Sequence, residues 1–305
     1  MRRKPIPVHT KYMSNPKRHH FVPVAYLNKF TDRKSGFLHV YSKRQKHFRK
    51  QKPDQVMVRN KYYHQDWAPE GIDKNILEKK LGREIEPNGL ASLDKLVKEP
   101  EKLSDTDTAN MLVYLSFQRI RVPRQDEMAK SIADAVLKLH LLNDPIGREA
   151  LKIGNITIKD SFRIRFMRDV LGLFMPYLSR MVWALIRAQN GSSFITSDSP
   201  VSFYNVKCLP PPEPGLGLYG TIAFFPINSK WLLMMSHPEY QRDEKSALDK
   251  LPNEIKFEDD FMELDRGFVW DDDVVVRKHN WLMFQLSDDV IVSNGKETLE
   301  QAINN

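Results

Sequence analysis

A change of hydrophobic period near Gly191 sets the strongest limit on what this chain can fold into. From Asp73 to Gly191 apolar residues recur at helical spacing; beyond it they fall into short runs divided by Pro- and Gly-rich turns. A 3.6-residue period buries one face of a helix, whereas short β-branched and aromatic runs between turn residues suit strands. The blocks add up to an α+β chain with a basic N-terminal β-hairpin region, a helical middle and a mostly antiparallel C-terminal sheet. The expected boundaries are 1–67 for the basic arm and hairpin, 68–191 for the helices and 192–305 for the β-rich part, within one compact domain.

Helix signals are clearest in the middle. Ile76, Leu77, Leu81 and Ile85 keep helical spacing, Pro87-Asn88-Gly89 interrupts it, and Leu90, Leu93, Leu96 and Val97 resume it up to Pro100. Ser104-Asp105-Thr106-Asp107 offers cap residues ahead of Met111, Leu112 and Leu115, and Val122-Pro123 should stop or kink that helix. A further helix is expected from Gln125 to Leu142. Ser161 is placed to cap a long apolar one through Val170, Leu173, Tyr177, Val182 and Leu185 to Gly191, bent at Pro176.

Strands are expected at Phe37–Tyr41 and Val56–Val58, on either side of a basic stretch. Others are expected at Phe194–Thr196, Val201–Tyr204, Thr221–Phe225 and Trp231–Met235. Val274–Val276 and Trp281–Phe284 fit either strand or helix.

Charge is partitioned along the chain. Residues 1–61 hold 17 Lys and Arg against Asp32 and Asp54 alone, leaving 30 bases against 37 acids in the remainder. Six bases crowd the ten positions 43–52, with Lys43, Arg44, Lys46, Arg49 and Lys50 the candidate phosphate contacts. Tyr41, Phe48, Tyr62 and Tyr63 could stack on bases while the cations neutralise phosphates of RNA or DNA. The same stretch reads equally as a solvated hairpin, or as one paired with the acidic C-terminal third, where 239–273 carries 13 acids against five bases. Glu258-Asp259-Asp260 and Asp271-Asp272-Asp273 suggest metal binding less than solvated acids, because neighbours on a strand face opposite ways.

Several classes drop out. Cys208 is the sole cysteine, so neither an intrachain disulfide nor a paired-cysteine zinc knuckle is available. No apolar segment follows the basic first residues, and no run of 18 uncharged apolar residues occurs. A reduced, cytoplasmic, soluble protein without membrane association is expected. Walker, dinucleotide-glycine, HExxH and Gly-x-Ser-x-Gly signatures are missing, which argues against the chemistry each supports.

Three runs carry candidate chemistry. His19-His20-Phe21-Val22-Pro23 presents paired imidazoles, suited to a general base, a phosphate contact or a metal ligand. The pair resembles part of a ββα-metal site, but Asn28 and His39 are badly spaced for the rest. Structural histidines bonded to backbone are an equal reading. Gln118-Arg119-Ile120-Arg121-Val122-Pro123-Arg124 sets three guanidiniums at a helix end, where they either complement the dipole or clamp an anion. Phe194–Val201 delivers Thr196-Ser197-Asp198 to a turn fixed by Pro200. Asp198 there suits a metal, a histidine partner or a simple Asx turn. Glu78, Glu84 and Glu86 read as a solvated helix face.

In order along the chain, these runs, with Tyr26-Leu27, Phe30 and Phe225-Pro226-Ile227, resemble the bacterial "domain of unknown function 4238" family over residues 19 to about 235, with Asn280 matching a late asparagine. The resemblance implies a bacterial or mobile-element protein of one family-length domain and carries no activity with it. It favours His19, His20, Gln118, Arg121 and Asp198 as positions that converge.

Two functions are therefore expected from different classes. One is a phosphodiester hydrolase in a defence setting: His19 or His20 as base or ligand, Asp198 orienting it or holding Mg or Mn, and Arg121 with Gln118 on the scissile phosphate. The other is a non-catalytic nucleic-acid module using the basic hairpin. Oligomeric state is left open.

Overall fold

The basic N-terminal region folds back on itself twice before the helices begin. The computed structural model describes residues 18–66, 68–153, 161–189, 191–210, 212–236, 269–271 and 273–304. Strand β1 (Arg18–His20) leads into the single turn α1 (Val24–Leu27). β2 (Leu38–Ser42) and β3 (His47–Gln51) make a hairpin with Tyr41 opposite Phe48. The returning strand is thus the basic stretch itself, not the apolar 56–58 run. Phe48 makes this possible, because its ring packs on Tyr41 at 4.7 Å while the charged neighbours stay outside. The later run supplies β4 (Val58–Asn60), which pairs with β1 so that His19 lies opposite Arg59.

In the helical middle, α2 (Ile76–Lys80), a π-helical turn (Leu81–Ile85) and α3 (Glu86–Lys98) run on without the expected break. Pro87 comes just after the π-helical turn, where Glu86 N–H already bonds five residues back to the Leu81 carbonyl. The α ladder that a proline interrupts is thus locally replaced. Gly89 is needed for a different reason: a Cβ there would overlap Tyr114 on the neighbouring helix. That helix, α4 (Asp105–Ile120), starts as expected at Ser104, whose hydroxyl accepts from Asp107 N–H while the Asp107 carboxylate accepts from Ser104 N–H. Next come α5 (Pro123–Asn143), α6 (Pro145–Ile153) and α7 (Ser161–Arg180), the last containing Pro176. The side chain of Ser161 lies outside the described ones.

The long apolar helix expected to reach Gly191 stops at Arg180 instead. Val182 and Leu185 belong to β5 (Val182–Arg187), a run buried at four consecutive positions, as a strand covered on both faces requires. The remaining strands are β6 (Thr196–Ser197), β7 (Ser202–Tyr204), β8 (Ile222–Asn228), β9 (Trp231–Ser236) and β10 (Val269–Asp271). Helix α8 (Asp273–Leu286) takes up both ambiguous apolar runs and is followed by β11 (Val290–Ser293) and α9 (Lys296–Asn304).

Two larger sheets result. One has the order β10-β5-β9-β8-β7, antiparallel except for β10 beside β5. The other has the order β3-β2-β11-β6, so a strand from the end of the chain sits against the N-terminal hairpin. Tyr26 ties the parts together. Its hydroxyl donates to the Pro226 carbonyl at 2.7 Å and lies 2.8 Å from the Thr196 hydroxyl, with its ring stacked near Phe225. Among the described residues no helix is long and apolar enough to cross a membrane. Glu258-Asp259-Asp260 and Asp272 lie outside the described residues, as does most of the acidic 239–273 stretch.

Candidate functional site

Alternation along β1 decides what the paired histidines face: Arg18 is exposed, His19 fully buried and His20 half-buried. His19 Nδ1 accepts from the Tyr63 N–H at 2.8 Å, and its ring lies parallel to Tyr63 at 5.8 Å. An accepting Nδ1 assigns the proton of the neutral ring to Nε2. His20 Nε2 is 3.2 Å from the Asp54 carbonyl; burial depresses its pKa, and that carbonyl opposes the shift.

Gln118 and Arg121 join this region from α4. Gln118 Nε2 donates to the Phe21 carbonyl at 3.1 Å, and its Oε1 accepts from Arg121 Nε at 3.0 Å. Arg121, with a side chain 1% exposed, donates to Glu86 Oε1 at 2.7 Å. Burial opposes that charge, but the Glu86 carboxylate at 2.7 Å holds the guanidinium protonated. Glu86 was expected on a solvated face with Glu78 and Glu84. Only Glu84 is exposed there, and burial beside Glu86 pushes Glu78 up to about 7. Four of the five candidate residues, His19, His20, Gln118 and Arg121, thus gather around Phe21 and Tyr63.

Asp198 stands apart from them. Its carboxylate accepts from the backbone N–H groups of Asp288 at 2.9 Å, Asp289 at 2.7 Å and Val290 at 2.8 Å. Burial pushes it up to about 6, while those amides pull the other way. No side chain of the histidine–arginine cluster bonds to it. The single shared hollow expected for all five residues does not form. The bonds that fix Arg121 and Gln118 are made to α3 and Phe21, and those that fix Asp198 to 288–290. Nor does Asp198 close its own Asx turn; Ser197 Oγ does this, accepting from Ser199 N–H at 3.0 Å.

The arginine run at 119–124 also divides, because residues two apart on a helix point away from each other. Arg119 pairs with Glu213 at 2.6 Å inside the protein, Arg121 with Glu86, and Arg124 with Glu213 at 3.3 Å and with the Leu286 carbonyl. Only Arg124 reaches the cleft that opens beside Asp198.

This cleft, of about 190 Å³, is lined by Phe21, Met57, Val58 and Pro123 on its apolar side. Arg44, Arg59, Arg124, Asp198 and residues 288–290 complete it. The motif runs meet here after all, but through other members: Phe21 after the histidines, Pro123-Arg124 after Arg121, and Asp198. Arg59 and the amides of 288–290 carried no signal in the sequence, since a lone arginine is ordinary and backbone donors have no side-chain signature.

The hairpin cations have varied employment. Lys43 Nζ donates to the carbonyls of Phe284 and Ser287 at 2.9 and 2.8 Å, capping α8, and lies 5.0 Å from the Phe284 ring centre. Arg44 pairs with Asp288 at 2.8 Å. Arg49 bonds Gln51 and Gln45. Lys46, at positive φ in the turn, and Lys50 are exposed. The hairpin therefore meets the C-terminal third at 284–289, and most of 239–273 lies outside the described residues. Among the described residues no three His, Cys, Asp or Glu side chains cluster as a metal site.

Compared with known proteins, residues 18–297 match the model of a family described as a protein of unknown function (DUF4238). No curated protein and no solved structure matches the chain.

Proposed function

The chain belongs to the DUF4238 family, and from the chemistry of its cleft we propose that it binds nucleic acid, RNA or DNA, through the phosphodiester backbone. One observation carries this reading: Arg44, Arg59 and Arg124, from three distant segments, line one cleft. It also holds Asp198, Asp288 and Asp289 and has an apolar side of Phe21, Met57, Val58 and Pro123. Guanidinium forks match phosphate oxygens in pairs, and Phe21, Met57 and Pro123 offer a dry surface for a base. Arg44 and Arg59 are 61% and 42% exposed, and their ion pairs with Asp288 and Glu127 lie at the surface. Exposed pairs are worth little, so a phosphate displaces them at small cost. Arg44 belongs to the turn of the basic hairpin, two residues from exposed Lys46.

Fluorescence anisotropy with labelled single-stranded RNA, single-stranded DNA and duplex tests this. Each of Arg44→Ala, Arg59→Ala and Arg124→Ala should weaken binding on the order of tenfold and lower the salt slope by about one. No binding near 50 mM salt, or binding indifferent to all three changes, overturns the reading.

Phosphodiester hydrolysis is the second reading, and Asp198 is what favours it. A cleft-lining carboxyl pushed up to about 6 is close to the range of a general acid or base near neutrality. His19, His20, Gln118 and Arg121 would then support the cleft wall from behind instead of touching substrate. Incubation of the same oligonucleotides with Mg²⁺ or Mn²⁺ separates the readings: cleavage lost in Asp198→Ala with binding retained assigns catalysis, and intact product leaves binding alone.

A further inference from the structure

Helix α5 is apolar on two faces, and among the described residues the fold covers only one. Its first turns are anchored, with Pro123, Gln125, Asp126 and Ala129 buried. Further along, Ala133, Leu137 and Leu141 are half-buried on the side packed against α6 and α7. The opposite side carries Met128, Ile132, Val136, Leu139 and Leu142, between 45% and 62% exposed. Within that stripe Met128, Ile132, Ala135, Leu139 and Leu142 follow the alternating spacing of four and three that defines a coiled-coil seam. A helix apolar all round belongs between two partners.

The geometry points to a second copy of this chain as the missing partner, with two α5 helices packed antiparallel into a symmetric dimer. Two observations select that occupant. The seam is self-complementary: a two-fold axis at Leu137 sets Ile132 against Leu142 and Ala135 against Leu139 of the other copy, and an isologous contact demands such matching. Charge does not oppose it, since Lys138, which would flank the seam, is already neutralised by Asp134 of its own helix at 2.7 Å. Area agrees. Five half-exposed side chains of this size offer roughly 500 Å², at the limit for a monomer's surface, and two such stripes with their polar rims approach the roughly 1,200 Å² of a stable interface. The buried root of α5 selects the antiparallel sense, because parallel helices would bring both protein bodies to the same end.

Sedimentation of the full chain from about 1 to 100 μM tests this proposal independently of any ligand. The expected result is a dimer that becomes monomeric in Ile132→Glu and in Leu139→Glu. Circular dichroism should not change, and Tm recorded at a concentration where the parent is also monomeric should match it, because both side chains are exposed. A monomer across the whole range, or a dimer that survives both changes, overturns it. Orientation is read from cysteines placed in a Cys208→Ser background. Oxidation should cross-link A135C with L139C when the two proteins are mixed. Cross-linking of either variant alone instead of the mixture overturns the antiparallel arrangement.

Discussion

The side-chain amide of Gln118 donates to the main-chain carbonyl of Phe21 at 3.1 Å, while its own carbonyl holds Arg121 Nε at 3.0 Å. One glutamine thereby welds α4 to the chain just after the paired histidines. Gln118→Ala should lower stability by about 2–3 kcal/mol, because two buried groups lose their partner at once. Urea denaturation checks this, and oligonucleotide affinity of the folded variant should stay close to that of the wild type.

Arg121 and Glu86 give a sharper contrast. Glu86→Ala leaves a guanidinium buried without its carboxylate and should cost about 2–4 kcal/mol, somewhat less than a wholly buried pair because Glu86 retains some solvent contact. Glu86→Leu combined with Arg121→Met should recover most of that loss. A double variant less stable than Glu86→Ala alone would mean that the charges do more than hold the fold.

His279 supplies an acid-sensitive element. It is buried between Phe194 and Phe224, its Nε2 has no hydrogen-bond partner, and burial pushes it down to about 4 from 6.5. The unfolded chain therefore binds the proton more readily than the folded one. Stability from this group is complete above pH 6.5 and falls as pH drops towards 4, by roughly 3 kcal/mol. His279→Phe should remove that portion of the acid slope in thermal melts recorded between pH 7 and 4.

Asp198 should make nucleic-acid binding pH-dependent. Its carboxyl is pushed up to about 6, so it is charged at pH 7.5 and largely neutral at pH 5. Losing a negative charge from a cleft with three arginines favours a polyanion, so affinity at fixed salt should rise as pH falls through 6. In Asp198→Asn, once shown to be folded, this part of the rise should disappear.

Lys43 and Lys50 are close in sequence but should behave oppositely. Lys43 caps α8 through two short bonds to carbonyls, so Lys43→Ala should lower Tm by several degrees. Lys50 is exposed, and Lys50→Ala should leave Tm alone while weakening oligonucleotide binding. Paired melting and anisotropy measurements distinguish the two lysines.

Local signals were legible wherever they depended on neighbours in sequence. The cap at Ser104, the stop of α4 ahead of Val122-Pro123 and most β runs after Gly191 follow from residue types a few positions apart. The signal failed where distant chain decided the outcome. Phe48 turned a basic stretch into a strand only because Tyr41 faces it. Val182 and Leu185 left the helix for a strand with buried neighbours on both sides. At the candidate site, the runs that matter could be named, but not the direction of their side chains. Helical and strand phase separated Arg119, Arg121 and Arg124, and turned His19 inward. Three backbone amides took Asp198, and no residue pattern announces an amide.

The position of β11 beside β2 also constrains how the molecule is made. Roughly 250 residues of later chain separate Tyr41 from its partner Ile291, and a nascent chain grows at about 5–20 residues per second. For tens of seconds during translation, the basic hairpin presents an uncovered strand edge while still attached to a ribosome, itself a dense polyanion. A chaperone or an early helical layer would have to shield that edge until the closing strand emerges.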